Sequence, residues 1–146
     1  VSGAVDFHKT ISNGFKPILG CKLYVSQEDS TIKLPQNASL NHQVVLAKNL
    51  DGWKSLLSVV SESNSLENFY HKPRLGFEQL LERVSSFRGS LISFSGHIDS
   101  VLGRLALNNT NWKEDVTKEA ERMEEAFGKG NFYIEKWPRS LGRCPR

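Results

Sequence analysis

Residues 15–25, FKPILGCKLYV, decide how the rest of the chain is read. An apolar run opened by Pro17 reads as a buried strand, because proline is tolerated where a strand begins. Within it Lys22 stands beside Cys21, where the strand should open onto solvent. A protonated ammonium has donors and no lone pair, so Lys22 would repel a metal ion rather than bind one. Taken alone it reads as an exposed strand-end lysine. Upstream, GAVDFHKTISN (3–13) brings Ala4, Val5, Phe7 and Ile11 toward one helical face, and Asn13-Gly14 supplies the stop. Downstream, residues 26–41 are polar and carry Pro35, a surface connection of a length that is uncommon unless functional or mobile.

HQVVLAKN (42–49) resumes with a β-branched run, the second strand. LDGWKSLLSVVSES (50–63) spaces Leu50, Trp53, Leu56, Leu57 and Val60 as an amphipathic helix, with Asp51 in its first turn. In YHKPRLGFEQLLERVSSF (70–87) a proline-bearing lead-in precedes a helical stripe of Phe77, Leu80, Leu81 and Val84. GSLISFSGH (89–97) is a third strand, and DSVLGRLAL (99–107) a short helix capped by Asp99 or Ser100. Residues 110–130 carry Trp112, Val116, Ala120, Met123 and Phe127 along one side of a longer helix that stops near Gly128. NFYIEKW (131–137) is a fourth strand. Four strands alternating with helices predict an α/β domain with a largely parallel sheet, or part of a barrel. No internal repeat is present.

At 146 residues the chain fits one domain with a real core. With 38% hydrophobic and 24% charged residues it has the composition of a soluble globular protein. No stretch approaches the roughly 20 apolar residues of a membrane span, and no charged-then-apolar leader is seen. The expectation is a soluble, cytoplasmic protein without membrane contact. Cys21 and Cys144 form no disulfide framework or zinc pattern. The net charge of +3 is too mild to mark an autonomous nucleic-acid binder. Gly-rich phosphate loops, nucleophile elbows and HExxH are absent, so any chemistry must be sought at strand ends.

In α/β architectures ligands sit outside the carboxyl ends of strands, and His97 occupies such a place. A neutral imidazole there is a good divalent-metal ligand, although a hydrogen-bonded or surface histidine is commoner. His42 begins the second strand. If the first two strands are parallel, His42 and Lys22 lie at opposite ends of the sheet; if antiparallel, they come together. His8, on the polar side of the first helix, and His71, in a loop, carry no site. Trp53, Trp112 and Met123 are assigned to the core.

Together GAVDFHKTISNGFKPILGCKLYV, HQVVLAKNLDGWKSLLSVVS, ENFYHKPRLGFEQLLE, GSLISFSGH and AFGKGNFYIE resemble, in order and spacing, the N-terminal PHP domain of bacterial DNA polymerase III alpha subunits, over residues 1 to about 135. The resemblance implies part of a distorted (β/α)7 PHP-type barrel, incomplete at both ends. It implies a partial PHP domain over 1–136; the basic tail over 137–146 drifts from the family and is expected to be a poorly ordered end. It also implies a site for divalent metal, zinc, manganese or magnesium. His42 matches a histidine ligand, and His97 falls where the family has the cysteine of SGC, a thiolate that imidazole can replace. Lys22 stands where metal-binding members carry a carboxylate. The family's HxH, TDHG and final Asp-x-His segments have no counterpart here.

The implied role is a fragment of a replicase, a nucleotidyltransferase working with DNA and other replicase subunits. In it this piece is a scaffold with a degenerate metal-dependent nuclease (3'-5' exonuclease) or phosphoesterase site and no catalytic residue of its own. The alternatives are a stand-alone PHP phosphoesterase and a non-enzymatic structural module.

Overall fold

The computed structural model describes residues 3–11, 14–108 and 110–136. Its sheet is built on two strands that return on one another. β1 (Gly20–Ser26) and β2 (Leu40–Ala47) are antiparallel, with Tyr24 opposite His42 and Lys22 opposite Val44. β4 (Leu91–Phe94) is antiparallel to β2, whereas β3 (Leu75–Gly76) runs parallel to β1, and β5 (Phe132–Tyr133) parallel to β4. The strand order is β3-β1-β2-β4-β5.

The sheet is therefore mixed, and the expectation of a largely parallel one is corrected. A parallel pair needs a crossover of a dozen or more residues, usually helical, between its strands. Between β1 and β2 the chain forms only a 3-10 turn at Pro35–Asn37 and folds straight back. β3 escapes a reading of the sequence because two residues make no periodic run.

Among the described residues five helices accompany the strands: α1 (Ala4–Ile11), α2 (Leu50–Ser63), α3 (Phe77–Ser85), α4 (Val101–Asn108) and α5 (Trp112–Phe127). Strand side chains alternate between faces. Leu23, Val25, Val45 and Leu91 turn to one face and join Leu56, Val59, Leu80, Val84, Met123 and Phe127 in the buried core. Lys22, Tyr24, His42 and Val44 turn to the other face.

α2 buries Gly52, Ser55, Leu56, Val59 and Ser63, a stripe rotated from the expected one, and leaves Leu50 66% exposed. Gly52 sets this rotation: a Cβ there would lie 1.9 Å from the Ser90 carbonyl oxygen, so only a glycine admits so close an approach. Asn49 caps the helix by accepting from the Gly52 N–H at 2.9 Å. α3 keeps its expected stripe, and the Gln79 side chain reaches back to accept from the Gly76 N–H at 2.7 Å. Trp112 is 43% exposed on the first turn of α5 and does not belong to the core. α1 buries no residue, with Val5 and Phe7 outward.

The 26–41 connection is held by a residue far along the chain. Arg74, wholly buried, donates through Nη1 to the Asn37 carbonyl (2.6 Å) and through Nη2 to those of Ser30 and Ile32 (2.9 Å each). Its guanidinium lies 4.9 Å from the Tyr70 ring centre. Asn37 continues the clamp, its Nδ2 donating to the carbonyls of Asp29 and Ile32 and its Oδ1 accepting from the Glu28 N–H. Among the described residues no helix is long and apolar enough to cross a membrane. Asn13, the tail 137–146 and Cys144 lie outside the described residues.

Candidate functional site

The antiparallel register settles which arrangement of Lys22 and His42 the chain adopts. Lys22 and Tyr24, two apart on β1, share a face, and Tyr24 sits opposite His42. The Tyr24 and His42 rings meet edge-on with centroids 5.2 Å apart. His42 then meets His97: the ring centroids are 5.2 Å apart, and Nδ1 of His42 lies 3.2 Å from Nε2 of His97. His97 is delivered by a sharp turn after β4, in which Gly96 takes φ +73°. The backbone N–H of His42 donates to the Asp99 carbonyl at 2.9 Å, which ties the two segments together.

Hydrogen bonding orders the pair. Nδ1 of His97 accepts from the Asp99 backbone N–H at 3.1 Å, so in the neutral ring the proton rests on Nε2 and is donated to Nδ1 of His42. This tautomer is inferred from the bonding pattern. The Asp99 carboxylate stands 3.8 Å from Nδ1 of His97 and 3.8 Å from Arg104. Arg104 donates as well to the Ser39 hydroxyl and to the Leu40 carbonyl, the latter at 3.2 Å.

Positive charge dominates the surroundings. The Lys22 amine is 5.6 Å, and the Lys72 amine 4.8 Å, from the centre of the Tyr24 ring. Neither lysine meets a carboxylate among the described residues. Partial burial holds the His42 pKa below its ordinary value, with Lys22, His97 and Lys72 acting in the same direction and Asp99 against them. Cys21 has no part in this: it packs against the core, and burial pushes its thiol up, away from the thiolate a metal would require.

Two imidazole nitrogens 3.2 Å apart could straddle one tetrahedral ion, since two bonds of about 2.0–2.1 Å span about that distance. Among the described residues the rest of the donor set is missing: no group of three His, Cys, Asp or Glu could hold an ion, and two ammonium groups lie over the neighbouring Tyr24 ring. The residues present do not fit a resident divalent metal.

The structure thus brings His42, His97 and Lys22 into one neighbourhood. It leaves His8 exposed on α1, bordering a separate cavity beside Trp53, and His71 exposed with its ring 4.3 Å from that of Tyr70. Lys72, Tyr24 and Arg104 escape the sequence reading. Lys72 reaches the site because β3 pairs with β1 at Val25 and Leu75, a contact with no local signature.

A family model described as PHP domain matches residues 1–137. DNA polymerase III subunit alpha of Treponema pallidum (strain Nichols) is 32% identical over 136 residues, covering 91% of this chain and 11% of that protein. The subunit of the same name from Borreliella burgdorferi is 35% identical over 136 residues, again 91% and 11%. That from Chlamydia muridarum is 29% identical over 152 residues, 94% and 12%. The chain therefore spans about a tenth of the length of these curated relatives.

Proposed function

The chain belongs to the PHP domain family, and from that premise we propose that it is a metal-depleted, non-catalytic PHP module of a DNA polymerase III alpha-type replicase. In this reading it takes part in DNA replication as a scaffold, in the cytoplasm. DNA and the other replicase subunits are partners of the longer protein, and nucleotidyl transfer belongs to a different part of that protein. The architecture belongs to an incomplete PHP-type barrel, and His42 and His97 are what remains of the family's ligand set.

One observation carries the proposal: the ammonium groups of Lys22 and Lys72 converge on Tyr24 beside the His42–His97 pair, which among the described residues no third donor completes. Metal-dependent hydrolysis of a phosphodiester needs a cation to lower the pKa of the attacking water and to stabilise the leaving oxygen. With Lys22 in place of a carboxylate, the two imidazoles bind each other, and Asp99 orients His97 through its backbone N–H. Lys22 then supplies fixed positive charge where a cation would otherwise be needed. The residues hold the strand ends together and activate no water.

Calorimetric titration of the chain with Zn2+ and with Mn2+, alongside Lys22→Glu, tests this. The unmodified chain should bind neither ion stoichiometrically and should not hydrolyse a phosphodiester. Lys22→Glu, which turns a repulsion into an attraction, should tighten binding by about tenfold or more. One equivalent of metal on the unmodified chain, lost in His42→Ala, would refute the proposal.

A further inference from the structure

Asn41 is the immediate neighbour of His42, yet it points to the opposite face of the sheet. It lies across from Val25 and turns with it toward the helices, where it is only 4% exposed. There its side chain borders an open cleft of about 400 Å3 between the ends of β1 and β2 and α3, α4 and α5. Oδ1 of Asn41 has no hydrogen-bond partner, and its carboxamide makes no bond to any described residue. Most buried polar groups are satisfied, so a buried carboxamide oxygen left without a partner, on the wall of a cleft and beside its own amide nitrogen, unbonded among the described residues, marks a missing partner.

The rest of the lining restricts what that partner can be. Arg122 is committed to Glu119 at 2.8 Å and to Glu78. Arg104 is committed to Ser39, to the Leu40 carbonyl and to Asp99. The two arginines and the carboxylates of Glu78 and Glu119 on the lining balance, so the cleft has no net positive charge to recruit a phosphate or a carboxylate and suits a neutral ligand. Phe77, Val101 and Leu105 supply apolar walls, and the Arg122 guanidinium lies 5.5 Å from the centre of the Phe77 ring. A flat, unsaturated body suits such a lining.

The geometry points to a second site, on the face away from the histidines, that binds a small neutral planar heterocycle presenting a donor and an acceptor side by side to Asn41. The adenine edge has this pattern, an exocyclic amine next to a ring nitrogen, and asparagine reads it with two bonds. A simple amide shares the donor–acceptor pair but would leave the apolar walls uncovered.

The test is a titration of the 146-residue chain with adenosine, and in parallel with acetamide, followed in 1H–15N spectra through the side-chain NH2 signals of Asn41 and, in the variants, through the backbone amide of Leu105, which lines the same cleft. Saturable movement with adenosine and a much weaker response to acetamide are expected. Asn41→Leu should weaken adenosine binding by about five- to a hundredfold. It should fold normally, because it removes a polar group that bonds to none of the described residues. Val101→Trp, which fills the cleft and keeps Asn41, should abolish binding, and it carries the test if Asn41→Leu fails to fold. Non-saturating shifts, unchanged affinity in either folded variant, or equal responses to adenosine and acetamide would overturn the assignment.

Discussion

Replacing Arg74 with methionine should cost about 3–5 kcal/mol of folding stability. Methionine preserves much of the apolar stem, so the change removes chiefly the guanidinium and its bonds. Those bonds run to three carbonyls, of Ser30, Ile32 and Asn37. Ile32 is partly exposed, and water can replace its lost donor. Ser30 and Asn37 are buried at 0% and 1% exposure, and their carbonyls lose a charged partner that water cannot easily replace.

Two charge-assisted hydrogen bonds at about 1.5–3 kcal/mol each give roughly 3–6 kcal/mol. Relief of the guanidinium's own desolvation, which already lowers its pKa, subtracts part of this. A domain of this size has about 5–15 kcal/mol in total, so the loss is a large share. Urea unfolding followed by circular dichroism measures it as a lower midpoint at an unchanged slope. Arg74→Lys, which restores the charge without the fork, should recover only part of the loss. A loss below about 1 kcal/mol in Arg74→Met would show that the clamp on residues 26–41 is dispensable and that this reasoning is wrong.

Two further outcomes follow from the packing and the charges. Gly52→Ala should destabilise by about 1–3 kcal/mol, because overpacking against the Ser90 carbonyl outweighs the roughly 1 kcal/mol that alanine gains in a helix; a raised melting temperature would refute the close approach. A histidine whose folded pKa lies below its ordinary 6.5 binds fewer protons folded than unfolded, so the contribution of His42 to stability is intact above about pH 6.5 and is lost as the pH falls below it. In Lys22→Ala the His42 midpoint, followed by NMR, should move up toward 6.5 and the acid loss should shrink; an unmoved midpoint would place the lysine charge out of reach.

Much of the framework is legible because it rests on periodicity. The stripe Phe77, Leu80, Leu81 and Val84, and the pair Met123 and Phe127, are buried where a 3.6-residue repeat puts them. Where the repeat fails, a local contact or the lack of one explains it. Leu50 opens α2 on the side away from the sheet, since Gly52 must face Ser90. Trp112 sits on a first helical turn with Lys113 stacked on it at 5.7 Å, which gives an indole a partner without burial. The direction of β2 relative to β1 was open in the sequence because no nearby residue fixes it. The clamp that holds the connecting segment comes from Arg74, 44 residues beyond Ser30 and 37 beyond Asn37.

That same distance explains why the charge at the site was only half legible. Lys22 is conspicuous in its strand, but one lysine on a flexible stem could swing away from a cation at little cost. Lys72 changes the balance, because the β1–β3 pairing brings its amine to the ring that Lys22 already approaches. At about 6 Å in water an ammonium opposes a divalent ion by about 1.4 kcal/mol, a tenfold loss of affinity; the penalty falls with distance and grows as the surroundings become less wet. Two groups at that separation would oppose an ion by about a hundredfold, and among the described residues no third ligand offsets it. Reversing Lys22 removes one repulsion and adds an attraction of similar size but leaves the second amine in place, so a double change, Lys22→Glu with Lys72→Ala, should exceed the single one by about the tenfold owed to Lys72.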